Sequence, residues 1–376
     1  MVCRKQYIEI FMCKINIHVV KQFYPLDQLN IIYNRIDIIR HDNIDEIFIC
    51  DNNNIPMITR DNLLNYEEKI FNYLSKSLKH KIIYFIPYEG TNTVIYQLRK
   101  RNIEQFIYTG QIHIISSGDF SSNIQYANLD CFIKLVSNNY NTLVTVNDFN
   151  SIFSTTNKPY NFLYLNKSPR RYRTKLIKLL KTQNLLKDAL WSNIIENIKL
   201  SDEYDPIEIY LKRKTLQASD IEKFNFPLNS INPDNYNDSI IHTKMYQDTY
   251  FSLICETNVD HPYSYRTEKI YKPILAGHPF IVYSNTGFYR DLRNVGFQTF
   301  ETIIDESFDD ICDDYLRMNY LVKSLKNLLS TNLDDFLIKA KPICEHNRNV
   351  LLEKNGKLQL EQYNSLTKFF NNICQN

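Results

Sequence analysis

Short apolar runs recur along this chain, and between them lie longer stretches whose apolar positions repeat at helical spacing. Lys14 to Val20, Glu46 to Cys50, Lys81 to Pro87 and Ile112 to Ser116 read as buried strands, while Glu67 to Lys79 and Thr93 to Arg101 read as helices. Later runs repeat the alternation: Tyr160 to Leu165, Phe251 to Cys255 and Phe280 to Tyr283. A strand apolar on both faces has to be covered on both faces, which a parallel sheet with crossover helices achieves. With 376 residues the chain exceeds one ordinary core and suits two α/β domains. The polar stretch Asn150 to Pro159 lacks periodicity and is the expected linker. The expected organisation is therefore a first domain over 1–155 and a second over 156–350. From Ile311 the pattern is helical almost to the end, and 351–376 is expected to form a last helix, Leu358 to Ile373, packing back on the first domain.

The most informative stretch runs from Tyr265 to Tyr283: Tyr265-Arg266-Thr267-Glu268-Lys269, an apolar helix, then Ala276-Gly277-His278-Pro279 and a buried strand. A helix start gathers unpaired N–H groups and the positive dipole end, so Lys269 beside it makes a site for phosphate. Glu268 in the same turn is a poor phosphate ligand and a good acceptor for sugar hydroxyls. Phosphate next to hydroxyl is the chemistry of a nucleotide or nucleotide-sugar. Glycine is scarce, 7 in the chain, yet Gly277, Gly287 and Gly296 cluster here. Gly277 with Pro279 beyond it reads as a helix stop, and Gly287 precedes a second helix, Phe288 to Asn294.

A second constellation follows the run Phe162-Leu163-Tyr164-Leu165. Asn166 comes next, then Ser168 and Pro169 as the N-cap and first residue of a helix that buries Leu176, Ile177, Leu179 and Leu180. Arg170 and Arg173 share a face of its first turn, where guanidinium forks can hold a diphosphate bidentately. Taken singly, each basic helix start equally describes a solvated face. Two of them, each after a strand in one domain, point to a single anion site.

Arg266-Thr267-Glu268-Lys269 followed by an apolar helix, Ala276-Gly277-x-Pro279 and an apolar strand resembles the donor-binding motif of the family 10 glycosyltransferases, the α1,3-fucosyltransferases. It also resembles a looser set of viral and bacterial glycosyltransferase-like proteins with a Thr-Glu-Lys helix and a Gly-x-Pro step. The likeness is specific only around residues 256 to 309. It implies a ribose contact for Glu268, a diphosphate contact for Lys269, and donor contacts at Asn166 and Arg173, with Arg170 as the alternative to Arg173. Pro273 departs from a regular helix, because a proline there deletes a backbone bond, and the helix is expected to start late or bend at it. Glu256 and Thr257, at the end of the preceding strand, are candidates to touch the donor, and Tyr265 to stack on its base.

Two Rossmann-like domains facing a cleft, with phosphate-binding helix starts in the second, describe the GT-B architecture. The expected reaction is an inverting transfer from a nucleotide-sugar, GDP-linked as the resemblance implies, to a glycan hydroxyl. Such a transfer needs a carboxylate to take the acceptor's proton. Glu89, in the turn Tyr88-Glu89-Gly90, and Asp119, after Gly118, are the candidates, and the resemblance favours Glu89. There is no Asp-x-Asp at a strand end of the kind a metal-dependent enzyme uses. Asp309-Asp310 and Asp313-Asp314 read as a solvated helical face or as N-terminal charges. No metal or cofactor is expected, since Lys269 and the arginines can neutralise a departing diphosphate.

Composition narrows the remaining choices. A formal net charge of +2 argues against binding nucleic acid by bulk electrostatics. A modified DNA base as acceptor stays open but is not favoured, as does a catalytically inactive sugar- or nucleotide-binding protein. The 8 cysteines form no Cys-x-x-Cys pair, so a reducing, cytoplasmic setting is expected. The run around Arg4 and Lys5 is too short for a signal peptide or membrane span. The 27 tyrosines make any single tyrosine weak evidence, and His261 and His278 lack metal-ligand spacing and read as structural.

Overall fold

The computed structural model describes residues 15–20, 36–42, 48, 54–86, 91–116, 126–128, 146–154, 156–166, 170–194, 221–222, 243–257, 259, 264–353 and 357–375. The chain divides into two compact units, one of residues 1–129 with 359–376 and one of residues 130–358.

The first unit holds a parallel sheet in the order β2-β1-β3-β4-β5-β6, with β1 Ile15–Val20, β2 Ile36–His41, β3 Asn54–Ile58, β4 Ile82–Ile86, β5 Ile112–Ser116 and β6 Tyr126–Asn128. Among the described residues four helices intervene: α1 Arg60–Asn65, α2 Glu67–Lys76, α3 Thr91–Lys100 and α4 Gln105–Tyr108. Every residue of β4 and β5 is buried, as a strand covered by helices on both faces requires. A buried glutamine ties this packing together, since Gln111 Nε2 donates to the carbonyls of Leu74 at 2.8 Å and Ser77 at 3.0 Å.

Three strands of this sheet, β2, β3 and the three-residue β6, are unheralded by the apolar pattern. β2 carries Asp37 and Arg40, and β3 carries Pro56, a residue that ordinarily argues against a central strand. The expected strand Glu46 to Cys50 is described only at Phe48, which lies in a turn.

The first described element of the second unit is α5 Val146–Ser154, so the stretch expected as linker is helical over its first half. Phe149 and Ile152 are buried in the core and Phe153 packs against it, a helical spacing that gives the segment a reason to dock. The sheet runs β11-β10-β7-β8-β9, with β7 Tyr160–Leu165, β8 Leu190–Ile194, β9 Ile221–Glu222, β10 Thr249–Cys255 and β11 Phe280–Tyr283. All neighbours are parallel except β8 and β9. The described helices are α6 Arg171–Thr182, α7 Thr243–Gln247, α8 Glu268–Ala276, α9 Phe288–Asn294, α10 Asp314–Leu329 and α11 Leu333–Leu352. A last helix, α12 Lys357–Gln375, contributes residue 359 onward to the first unit. Among the described residues no helix is long and apolar enough to cross a membrane.

The scarce glycines sit where the backbone needs them. Gly277 ends α8 in the left-handed region at φ 75°, and Gly287 opens α9 at φ 77°. α8 begins at Glu268 rather than late, and it runs through Pro273 to Ala276. Thr267 makes this start possible, because its hydroxyl caps the Lys269 N–H at 3.3 Å. Of the acids after α9, Asp309 is buried rather than solvated, while Asp310 is exposed and Asp313 and Asp314 stand at a helix start, as one of the two expected readings has it. Asp309 is 5% exposed and accepts the N–H groups of Tyr289 and Arg290 at the start of that helix, while Asp313 caps α10 through Leu316. Buried Arg317 ties the same region together, donating to the carbonyls of Ser284, Ile311, Cys312 and Val259 and pairing with Asp314.

Candidate functional site

The carboxyl ends of β7 and β10 lie side by side in the sheet, and the chain leaves them in opposite directions. α6 leads from β7 outward to β8, and α8 leads from β10 outward the other way to β11. At such a reversal the two connections part and leave a crevice beyond the strand ends, where open α/β sheets bind ligands.

At the carboxyl end of β7 stands Asn166, 3% exposed, whose backbone N–H donates to the Ser192 hydroxyl at 3.2 Å. Its side-chain amide is a polar group without a completed hydrogen bond, although the Tyr164 hydroxyl lies beside it. A buried amide in that condition costs stability and is ready to take a ligand. Helix α6 begins at Arg171, with Arg170 extended as its N-cap at φ −136° and ψ 147°. The expected start at Ser168 and Pro169 is thus shifted by two residues, and those two positions lie outside the described residues. The arginines nevertheless come together, 9% exposed at Arg170 and 2% at Arg173. Burial, and next the charge of Arg170, push the Arg173 pKa down.

From β10 come Cys255, Glu256 and Thr257. Burial pushes the Cys255 thiol up to about 11, so it is a protonated wall of the site. Glu256 is 1% exposed, and burial raises its pKa. Both of its oxygens are occupied: it accepts the Thr267 hydroxyl at 2.7 Å, the Thr267 N–H at 3.2 Å and the Thr257 N–H at 3.1 Å. Glu256 therefore fixes the strand end and the start of α8 to one another, and no oxygen of it points free at a donor.

From α8 come Glu268 and Lys269 in the first turn, as expected. The Lys269 ammonium donates to Glu268 Oε1 at 2.7 Å, and to Thr257 Oγ1 and Thr267 Oγ1 at 3.2 Å each. Burial works against a charged Glu268, but Lys269, helped by Lys272, outweighs it and holds the carboxyl well below the usual range. The two cationic helix starts meet on one atom: Arg173 Nη2 approaches the same Thr257 Oγ1 at 3.4 Å.

Two candidates fall outside this constellation. Tyr265 is 1% exposed and packed in the core, which leaves its ring no open face for a base. The Arg266 Nε donates to the Tyr271 hydroxyl at 3.0 Å. Glu89 and Asp119 lie outside the described residues, as does His261. His278 is structural, with its ring between Thr249 and Ser252. Thr257 is the residue whose weight the motif concealed. Its only sequence signal is its place at a strand end just before the motif loop.

The arrangement can hold an anion between Arg173 and Lys269, with hydroxyl and amide donors around it. Among the described residues no group of three or more His, Cys, Asp or Glu side chains could hold a metal ion. No protein-family model matches the sequence, and a search of curated proteins finds no match.

Proposed function

We propose that this protein is a glycosyltransferase of the GT-B kind, fucosyltransferase-like and inverting, that takes a nucleotide-sugar donor in its second unit. The observation that carries the reading is the meeting of Arg173 and Lys269 on Thr257 Oγ1 at a sheet reversal. Both cations would face the diphosphate, with Asn166 and Arg170 beside it, and Glu268 would accept ribose hydroxyls.

In the reaction the acceptor's hydroxyl oxygen bonds to the sugar's anomeric carbon as that carbon's bond to the diphosphate breaks. The electron pair leaves with the diphosphate, and a carboxylate takes the hydroxyl proton. Arg173 and Lys269 supply the positive charge that the leaving group needs, so no metal is required for that task. The carboxylate is sought at Glu89 or Asp119, the acceptor among glycans, and the setting in a reducing cytoplasm.

A thermal-shift screen of GDP-, UDP-, ADP- and CMP-sugars, followed by calorimetry on wild type and Lys269→Ala, tests the donor site. Binding is expected to vanish in Lys269→Ala; because the mostly buried Glu268 loses its cation the melting temperature falls as well, so the calorimetry is run where circular dichroism shows the variant folded. Retained binding in that variant refutes the assignment. Glu89→Gln is expected to bind donor without transferring it, and turnover at the wild-type rate moves the base elsewhere.

A further inference from the structure

An ammonium group has three protons to donate, and in Lys269 all three are directed at acceptors of the protein itself. They reach the Glu268 carboxylate at 2.7 Å and the hydroxyl oxygens of Thr257 and Thr267 at 3.2 Å each. Glu268 is equally committed, 13% exposed against 22% for its partner lysine. The lysine that should receive phosphate is thus already neutralised by the residue next to it.

An arriving phosphate has two ways to use Lys269, and both are costly while Glu268 is charged. It can displace Glu268, leaving a mostly buried carboxylate without its cation, or displace the two hydroxyls and lie against that carboxylate, sharing one ammonium between two anions. Arg173, Arg170 and Lys272 moderate the repulsion, but Glu256 adds a second carboxylate to the same neighbourhood. A ligand that joins a phosphate to a pair of hydroxyls escapes both costs: the phosphate takes the ammonium while the hydroxyls donate to the freed carboxylate.

Resting on the nucleotide-sugar reading above, we infer that the Glu268–Lys269 pair is a selectivity device that admits nucleoside diphosphates bearing a ribose diol and rejects inorganic pyrophosphate and phosphate. The pair exchanges its internal contact for two ligand contacts at once, so diol and diphosphate bind with positive cooperativity. Neither half of the ligand gains much from the site alone.

The test uses the full chain and titration calorimetry with inorganic pyrophosphate, with GDP, UDP, ADP and CDP, and with the 2′,3′-dideoxy form of whichever nucleotide binds best. Glu268→Gln keeps the shape and removes the charge. It is expected to bind pyrophosphate about tenfold more tightly and the nucleotide about tenfold more weakly, so the discrimination falls by roughly a hundredfold. In a Lys269→Met background the pyrophosphate gain should disappear, because it comes from freeing that ammonium and not from a distant change of field. On wild type the dideoxy nucleotide should lose at least about tenfold, a comparison that needs no variant and stands if Glu268→Gln does not fold. If the dideoxy form binds as well as its parent, or if Glu268→Gln leaves pyrophosphate binding unchanged, the exchange is refuted while the donor site stands. If wild type binds none of the nucleotides, the donor site itself is refuted and this inference goes with it.

Discussion

Two buried titratable groups in the second unit give the folded protein opposing responses to acid, and each response can be isolated. His278 is 1% exposed; burial pushes its pKa from 6.5 down to about 3. Its Nδ1 lies 2.9 Å from the Ser252 hydroxyl and its Nε2 lies 2.9 Å from the Thr249 carbonyl, an arrangement that suits the neutral ring. Glu306, with its side chain 7% exposed, is pushed by burial from 4.5 up to about 7. For the histidine the native pKa is depressed, so the unfolded chain takes up the proton first and stability is lost as pH falls below about 6.5. For the glutamate the native pKa is raised, so the native state takes up the proton first and stability is gained as pH falls from about 7 towards 4.5.

At about 1.36 kcal/mol per pKa unit, acidification from about pH 7 to pH 5 costs about 2 kcal/mol through His278 and returns about 2 kcal/mol through Glu306. The two nearly cancel in wild type, so the variants carry the information. Relative to wild type, His278→Gln should become more favourable by about 2 kcal/mol over that window, and Glu306→Gln less favourable by about the same amount. Urea unfolding at the two pH values, followed by fluorescence of the single tryptophan, Trp191 in β8, measures both differences in the unit concerned. If His278→Gln tracks wild type across the window, the ring is not a buried neutral group and the reasoning fails.

Other perturbations follow from single contacts. Gly277→Ala places a Cβ 2.1 Å from the Phe149 ring at a backbone φ of 75°; left-handed strain of about 1–2 kcal/mol and overpacking of about 1–3 kcal/mol should add, and only the second should vanish in a Phe149→Ala background. Arg317→Met removes a 2% exposed guanidinium from several carbonyls, and chemical denaturation should show a loss of about 3–5 kcal/mol that Arg317→Lys does not fully rescue. Thr267→Val deletes the cap of α8 and one hydroxyl donor to buried Glu256, so a loss of about 2–4 kcal/mol is expected together with weaker nucleotide binding. A variant that binds normally would separate the cap from the site.

The sequence made some of this legible and concealed the rest for physical reasons. Strands buried on both faces, such as Ile82–Ile86 and Phe280–Tyr283, announce themselves because no charged or turn-forming residue interrupts them. β2 and β3 do not, because Asp37, Arg40 and Pro56 imitate loop chemistry. The first turn of α8 was readable because a threonine cap, an acid and a base in succession need no tertiary context. The cap of α6 was misplaced, since Ser-Pro is a local signal and the extended Arg170 overrides it. Tyr265 was a matter of composition rather than chemistry, and its ring went to the core. Local rules describe helix starts, but only the sheet order brings two of them to the same place.

That sheet order also separates a site from a mere collection of charges. Packing Arg170 beside Arg173, with exposures of 9% and 2%, costs desolvation and mutual repulsion, and apolar side chains of similar size would hold the fold at least as well. A fold gains nothing from placing that cost where β7 and β10 diverge, nor from leaving the Asn166 amide unsatisfied beside it. An anion beside Thr257 Oγ1 would add counter-charge to the guanidinium groups and an acceptor for the amide, whereas at Lys269 it has to exchange with Glu268. A cost of that kind is retained where a ligand relieves it, since energy withheld from folding becomes available on binding.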